Sequence, residues 1–289
     1  MYKRVHLEIS NICNVQCSFC PIVERPKDIM SLSDFSGLLA QLTPITEDVC
    51  LHLMGEPLAH PEFQKILEVA SEQGASLQIT TNGLLIRRYC DLFLKGPTVR
   101  QINFSLQAFK DNFPDRDISE YLDPILAFAK QAISRRPELY INFRLWNLSD
   151  DSGGENEEVF CYLENYFGVV INRSVDPGFN KSKKLMKNAR IYLHFDSRFD
   201  WPSLDYPIVA EKGHCHGLRN HFGIHADGTV VPCCLDKEAV IDLGNVFDND
   251  QSIQSILNSD RAVAIREGFK NGVLVEEMCQ KCTFRKRFK

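Results

Sequence analysis

Over its first 175 or so residues this chain alternates short apolar runs with amphipathic stretches, and that alternation limits its fold more than any other feature. Residues 5–9, 48–54, 77–80, 100–105, 140–146 and 169–172 read as strands. Residues 33–42, 62–73, 85–94, 119–134 and 156–167, lying between them, carry apolar positions at helical spacing, with Gly74 and Gly96-Pro97 as stop signals. Strands separated one by one by helices pair in parallel through right-handed crossovers. Six such units rather than eight predict an α/β fold, a partial (β/α)6 barrel open on one side, over residues 1–175.

The pattern then breaks. Residues 176–212 read as an irregular connector holding Pro177-Gly178, the basic run "KSKKLMK" and the aromatic stretch "IYLHFDSRFDWP". His194, Asp196, Arg198 and Asp200 stand among those aromatics, either lining a polar substrate site or packing as a cover over the barrel. Residues 213–289 form a smaller region. There "FGIHADGTVVPCC" reads as a β-hairpin turned at Asp227-Gly228, followed by a helical stretch over 252–269 and a terminal "CQKC".

Composition sets outer bounds. With 44% hydrophobic and 25% charged residues the chain can bury a sizeable core. A net charge of −5 argues against a surface built to grip DNA. The basic "RKRFK" end is a solvated tail or a local patch for an anionic ligand. The start "MYKRVHLEIS" has no apolar signal core, and no apolar run reaches the roughly 18 residues of a membrane span, so the reading is cytosolic with no membrane partner. Eleven cysteines in such a chain point to metal or redox chemistry rather than disulfides.

Three of the cysteines crowd into "CNVQCSFCP" as Cys13, Cys17 and Cys20, directly after the first strand. A closed structural metal site takes four protein ligands, so a trio implies a centre with one position open. Other special segments follow later strands: "MGEP" from Met54, "TTNG" from Thr80, "FSLQAF" from Phe104, and "FRLWN" with Arg144. In α/β folds of this kind functional residues gather at such C-terminal strand ends.

The C-x3-C-x2-C after a first strand, the glycine–glutamate pair Gly55-Glu56 and the Asn82-Gly83 turn together resemble the radical S-adenosylmethionine (SAM) superfamily, over roughly residues 5–175. That resemblance implies a 4Fe-4S cluster on Cys13, Cys17 and Cys20, with its fourth iron chelated by the amino and carboxylate groups of SAM. It also implies Phe19 beside the adenine, and Ser105 and Gln107 on ribose or carboxylate. Gly55 would let backbone approach closely, and Glu56 would accept from the methionine ammonium. Arg144 would meet a carboxylate of SAM or substrate, with an interior ion pair as its other reading. Thr81 and Asn82 are weaker members of this set, since Asn82-Gly83 also suits a plain tight turn. For Glu56 the plainer reading is a solvated loop acid.

A second set, Cys215, Cys233, Cys279 and Cys282, brackets the hairpin. It resembles the Twitch domain, the shortened relative of SPASM, holding one auxiliary 4Fe-4S cluster; a four-cysteine zinc site is the alternative. Cys234 could exchange with Cys233. His214 and His216 flank Cys215 as outer donors, ligands or surface residues. Cys50, Cys90 and Cys161 read as small core residues on apolar faces.

The chemistry implied is reductive cleavage of SAM to a 5′-deoxyadenosyl radical that takes a hydrogen atom from substrate. A flavodoxin- or ferredoxin-type protein would donate the electron, and the auxiliary cluster would accept one. This resembles 2-deoxy-scyllo-inosamine dehydrogenase and anaerobic sulfatase maturases. The motif begins at residue 13, leaving no room before it for a leader-recognition domain, which weighs against a ribosomal-peptide substrate. The expectation is two-electron oxidation of a small polyol, sugar or aminocyclitol. Modification of a peptide side chain or an RNA base is the alternative, and an iron–sulfur electron carrier is the alternative of another class.

Overall fold

The computed structural model describes residues 1–148, 153–174, 182–248 and 251–287; Pro177-Gly178 and the start of the basic run lie outside them. In chain order the elements begin β1 (Arg4–Leu7), α1 (Leu32–Leu42), β2 (Val49–Cys50), α2 (Phe63–Glu72), β3 (Leu77–Thr81) and α3 (Cys90–Lys95). They continue with β4 (Val99–Ser105), α4 (Gln107–Asn112), α5 (Ile118–Arg135), β5 (Tyr140–Leu145), α6 (Gly153–Phe167), β6 (Ser182–Lys184) and β7 (Ile191–Phe195). The last are β8 (His221–Ile224), β9 (Val230–Val231), α7 (Ile253–Leu257), α8 (Asp260–Lys270) and α9 (Glu277–Lys281). The chain divides into two compact units, one of Met1–Cys13, Pro21–Ser76 and Phe199–Lys289, the other of Asn14–Cys20 and Leu77–Arg198.

In the first unit β1 pairs in parallel with β2 on one side and β8 on the other, and β9 turns back antiparallel onto β8. The β8–β9 hairpin closes at Asp227-Gly228, where the Gly228 N–H donates to His225 O, as the sequence predicts. β2 is shorter than expected. After Cys50 the chain leaves the ladder, and the Met54 N–H is held instead by the carboxylate of Glu8. The helix expected over 252–269 is two helices, because Ser259 caps a fresh start by accepting from the Ala262 N–H.

In the second unit β3, β4, β5 and β7 are successive parallel neighbours, and β6 lies antiparallel on β7. The sixth parallel strand of the chain is therefore β7, and residues 169–172 form no strand. Val170 is 94% exposed, so the run is not apolar in place. At Ile171 the backbone is satisfied by side chains instead. The Ile171 N–H donates to Glu164, and Ile171 O accepts from Arg173. "IYLHF" has the alternation a strand needs, with Ile191, Leu193 and Phe195 buried and Tyr192 and His194 half-buried between them. The helix expected over 85–94 is a 3-10 turn, Ile86–Arg88, followed by α3.

The apolar side of this second sheet packs on α5 through an aromatic core in which Phe104 meets Phe128 and Phe143, and Phe128 meets Phe93. Buried Arg136, just past α5, ties three elements. Its guanidinium donates to Phe93 O at 2.7 Å, to Val99 O at 2.6 Å and to Glu138 at 2.9 Å. Arg136→Met keeps the apolar stem but strips the donors from both carbonyls. It should cost about 2–4 kcal/mol, read as a lower midpoint in urea unfolding.

Candidate active site

The inward face of the second unit's sheet is built from register. Ser105, Arg144 and His194 are aligned across β4, β5 and β7, and the row beneath holds Thr80, Asn103, Asn142 and Tyr192 across β3, β4, β5 and β7. The residues alternating with these, among them Ile79, Ile102, Ile141 and Ile191, are buried. A parallel strand covered on both faces would be apolar on both. Here one face is packed and the other is a polar, largely half-buried wall.

That wall is internally organised. Asn103 accepts from the amides of Asn142 (2.8 Å) and Gln101 (2.9 Å) and donates to Thr80 and to Ile79 O. The Arg144 guanidinium lies 4.8 Å over the Trp146 ring, and Trp146 Nε1–H donates to His194 Nδ1 at 3.0 Å. Since indole only donates, the neutral His194 ring carries its proton on Nε2. The structure thus brings His194, read from sequence as part of a connector, into one row with Ser105 and Arg144. Asp200 is exposed in the first unit.

At the head of α4, Gln107 has its Oε1 buried and meeting no donor among the described residues. An acceptor buried without a partner is costly, and a bound ligand offering an N–H or O–H would relieve it. Thr81 accepts from the Gly83 N–H, and Asn82 accepts from the Leu84 N–H while its amide donates to Asn14 at 2.7 Å. Asn82 therefore shapes the turn and braces the cysteine loop. In that loop Cys17 is buried and Cys20 half-buried, and Arg198 stacks 5.4 Å over the Phe19 ring.

In the first unit Cys13 is exposed. Gly55 has φ +75°, and a Cβ there would sit 2.2 Å from Ser10 O, so no other residue fits. The Glu56 N–H donates to Ile12 O, and its buried carboxylate caps the 3-10 turn Pro57–Ala59 by accepting from the Leu58 N–H. Glu56 is 2% exposed, which rules out a solvated loop acid. Below it lies a residue the sequence reading passed over. Glu8, with no exposed surface, takes Arg25 Nη2 on both oxygens (3.0 and 3.1 Å) and the N–H groups of Met54 and Ala226. Burial pushes its carboxyl up despite the Arg25 charge. The available signal was a lone acid in the otherwise apolar strand run "VHLEI".

Cys215, Cys233, Cys279 and Cys282 stand within electrostatic reach of one another. Burial first, and for Cys215, Cys233 and Cys279 the neighbouring thiols as well, hold all four thiols above the ordinary range. Four half-buried thiols that resist ionising on their own are a donor set that a strongly cationic centre would convert to thiolates. Cys234 also acts on Cys233. His214 is bonded to Phe269 O and His216 to Asn220. Of the three cysteines read as core, Cys50 is buried and Cys90 half-buried, but Cys161 is exposed on α6 beside Glu157.

Comparison with known proteins agrees with this anatomy. A model of the radical SAM superfamily matches residues 7–141, and a model of the SPASM iron-sulfur cluster-binding domain matches residues 215–283. Among curated proteins the chain is similar to a PqqA peptide cyclase of Bradyrhizobium diazoefficiens, 22% identical over 97% of this chain and 78% of that one. BtrN in complex with AdoMet and 2-DOIA superposes with a TM-score of 0.60 at 14% identity, covering 98% of this chain and 93% of that one. SuiB of Streptococcus suis, bound to precursor peptide SuiA, superposes at 0.62 with 16% identity, covering 99% and 70%.

The chain therefore carries a radical SAM domain over residues 7–141 and a SPASM-type iron–sulfur domain over residues 215–283. It is an enzyme of that class, with SAM, a SAM-binding 4Fe-4S cluster and an auxiliary iron–sulfur cluster as cofactors. Its sheets have the open, mainly parallel α/β form of that fold. No helix among the described residues is long and apolar enough to cross a membrane.

Anaerobically reconstituted protein should therefore hold about eight irons per chain, from two four-iron clusters. Converting Cys13, Cys17 and Cys20 to alanine should leave about four, by iron and sulfide assay.

Proposed function

We propose that this enzyme oxidises a small polyhydroxylated substrate, a polyol, sugar or aminocyclitol, by removing two hydrogens from one carbinol centre. The observation that carries the reading is the polar wall of the second unit. Hydroxyl, amide, imidazole and guanidinium groups of Ser105, Asn142, Tyr192, His194 and Arg144 are aligned there as both donors and acceptors. A substrate with several hydroxyls can satisfy such a surface, and an apolar one would leave it unpaired. When bound, the clusters and SAM supply one-electron reduction, a 5′-deoxyadenosyl radical and an acceptor for the substrate's second electron.

The chain's own residues hold and orient these groups. Cys13, Cys17 and Cys20 are the ligands of the SAM-binding cluster in this reading. Cys215, Cys233, Cys279 and Cys282 of residues 213–289 hold the auxiliary one. Gly55 gives the close backbone approach, Glu56 accepts from the methionine ammonium, Ser105 and Gln107 take ribose or carboxylate, and Phe19 lies beside the adenine. Arg144, fixed over Trp146, orients substrate or the SAM carboxylate. A flavodoxin- or ferredoxin-type protein delivers the first electron. The similarity to PqqA peptide cyclase across 97% of this chain favours a second reading, modification of a peptide side chain.

Three measurements check this. Glu56→Gln keeps an acceptor for the Leu58 N–H but loses the charge that meets the ammonium. It should weaken SAM binding about tenfold or more in equilibrium dialysis, the effect of about 1.5–3 kcal/mol, with iron content unchanged. A panel of polyols, aminocyclitols and peptides, followed by mass spectrometry, should show loss of two hydrogens from a polyhydroxylated compound. Cys279→Ala/Cys282→Ala protein that remains folded by circular dichroism should still cleave SAM but form little product. A peptide as the only substrate would replace the first reading with the second, and wild-type turnover by that variant would remove the electron-acceptor role.

A further inference from the structure

α4 was not anticipated as a helix, and its last turn reaches the cysteine loop. Asp111 accepts from the Ser18 N–H at 2.6 Å and from the Ser18 hydroxyl at 2.5 Å. Asn112 Oδ1 accepts from the Gln16 N–H at 3.0 Å. Asn112 Nδ2 donates to Ala108 O at 2.8 Å and to Cys17 Sγ at 3.1 Å.

The orientation of this amide is fixed by its surroundings. The Gln16 N–H can only donate and Ala108 O can only accept, so the oxygen must face Gln16 and the nitrogen must face Ala108. The group at Cys17 Sγ is then an N–H donor. Cys17 is the buried member of the trio, which shields that contact from water.

We propose that Asn112 tunes the SAM-binding cluster by donating a hydrogen bond to the sulfur of Cys17, while Asp111 and Asn112 together clamp residues 16–18 in place. This rests on the reading of Cys17 as a cluster ligand. An N–H aimed at a ligand sulfur stabilises the more electron-rich, reduced cluster and raises its potential. Asn112 is thus a positioning residue acting through Cys17. Nothing in the motif spacing points to it, since the two residues are 95 positions apart.

The test is a redox titration of the electron paramagnetic resonance signal that changes on adding SAM, with iron content measured alongside. Asn112→Leu removes donor and acceptor. Asn112→Asp keeps an acceptor for the Gln16 N–H but offers Cys17 no donor. Both variants should load iron and become harder to reduce, with the reduced-to-oxidised ratio at a given potential falling about tenfold, about 59 mV for one electron. A wild-type midpoint in variants with full iron would overturn the proposal. So would failure of both to load iron, which would make the contact a structural clamp only. The iron count of the Cys13/Cys17/Cys20 variant separates the two claims. If that variant keeps all its iron, Cys17 is no ligand and the reading itself fails. If it loses about four irons while the Asn112 midpoints stay put, the proposal alone fails.

Discussion

A single carboxylate without solvent, Glu8, holds three segments of the first unit to one point. A buried charge must be compensated, and Glu8 accepts four hydrogen bonds from three donor groups, Arg25 Nη2 and the N–H groups of Met54 and Ala226. Each of those partners belongs to a different working part. Arg25 lies in the run that returns from the cysteine loop, where it also donates to Lys237 O, and its N–H and that of Glu24 are held by Glu238. Met54 opens the Gly55-Glu56 segment, and Ala226 lies in the hairpin of the SPASM-type region. The strand, the Gly55-Glu56 segment and the SPASM-type region therefore share one electrostatic anchor. Removing one partner of a buried pair of this kind typically costs about 3–5 kcal/mol, so these parts stand or fall together.

In the second unit the organising constraint is parity. Successive side chains on a strand point to opposite faces, so β3, β4, β5 and β7 in register stack their polar residues on one side and their isoleucines and phenylalanines on the other. The apolar side is filled by α5. On the polar side the groups satisfy one another: Asn103 and Asn142 are hydrogen-bonded, and Arg144, Trp146 and His194 brace one another. A wall preorganised in this way holds fixed donors and acceptors without first having to order its own side chains.

Much of this was legible in the sequence, because the signals were local. The parallel α/β alternation and the Asp227-Gly228 hairpin each depend on residues close in the chain. What was not legible depended on tertiary competition. Residues 169–172 have β-forming side chains, but Glu164 and Arg173 capture the backbone of Ile171, and the place beside β5 passes to "IYLHF". That strand was hidden inside an aromatic stretch whose charged residues drew it toward a connector. Glu8 and Asn112 were missed for a related reason. Each matters through partners distant in sequence, 218 positions for Glu8 and Ala226 and 95 for Asn112 and Cys17, and neither belongs to a spaced motif.

The central claim is that the cysteine trio and SAM together make this chain a radical enzyme. The most direct measurement is the amount of 5′-deoxyadenosine formed from SAM under strong reductant, without oxygen, by intact protein and by protein lacking Cys13, Cys17 and Cys20. The account predicts steady formation by the intact chain, even without substrate through uncoupled cleavage, and none above background from the variant. Equal amounts from both, or none from iron-loaded intact protein, would contradict it.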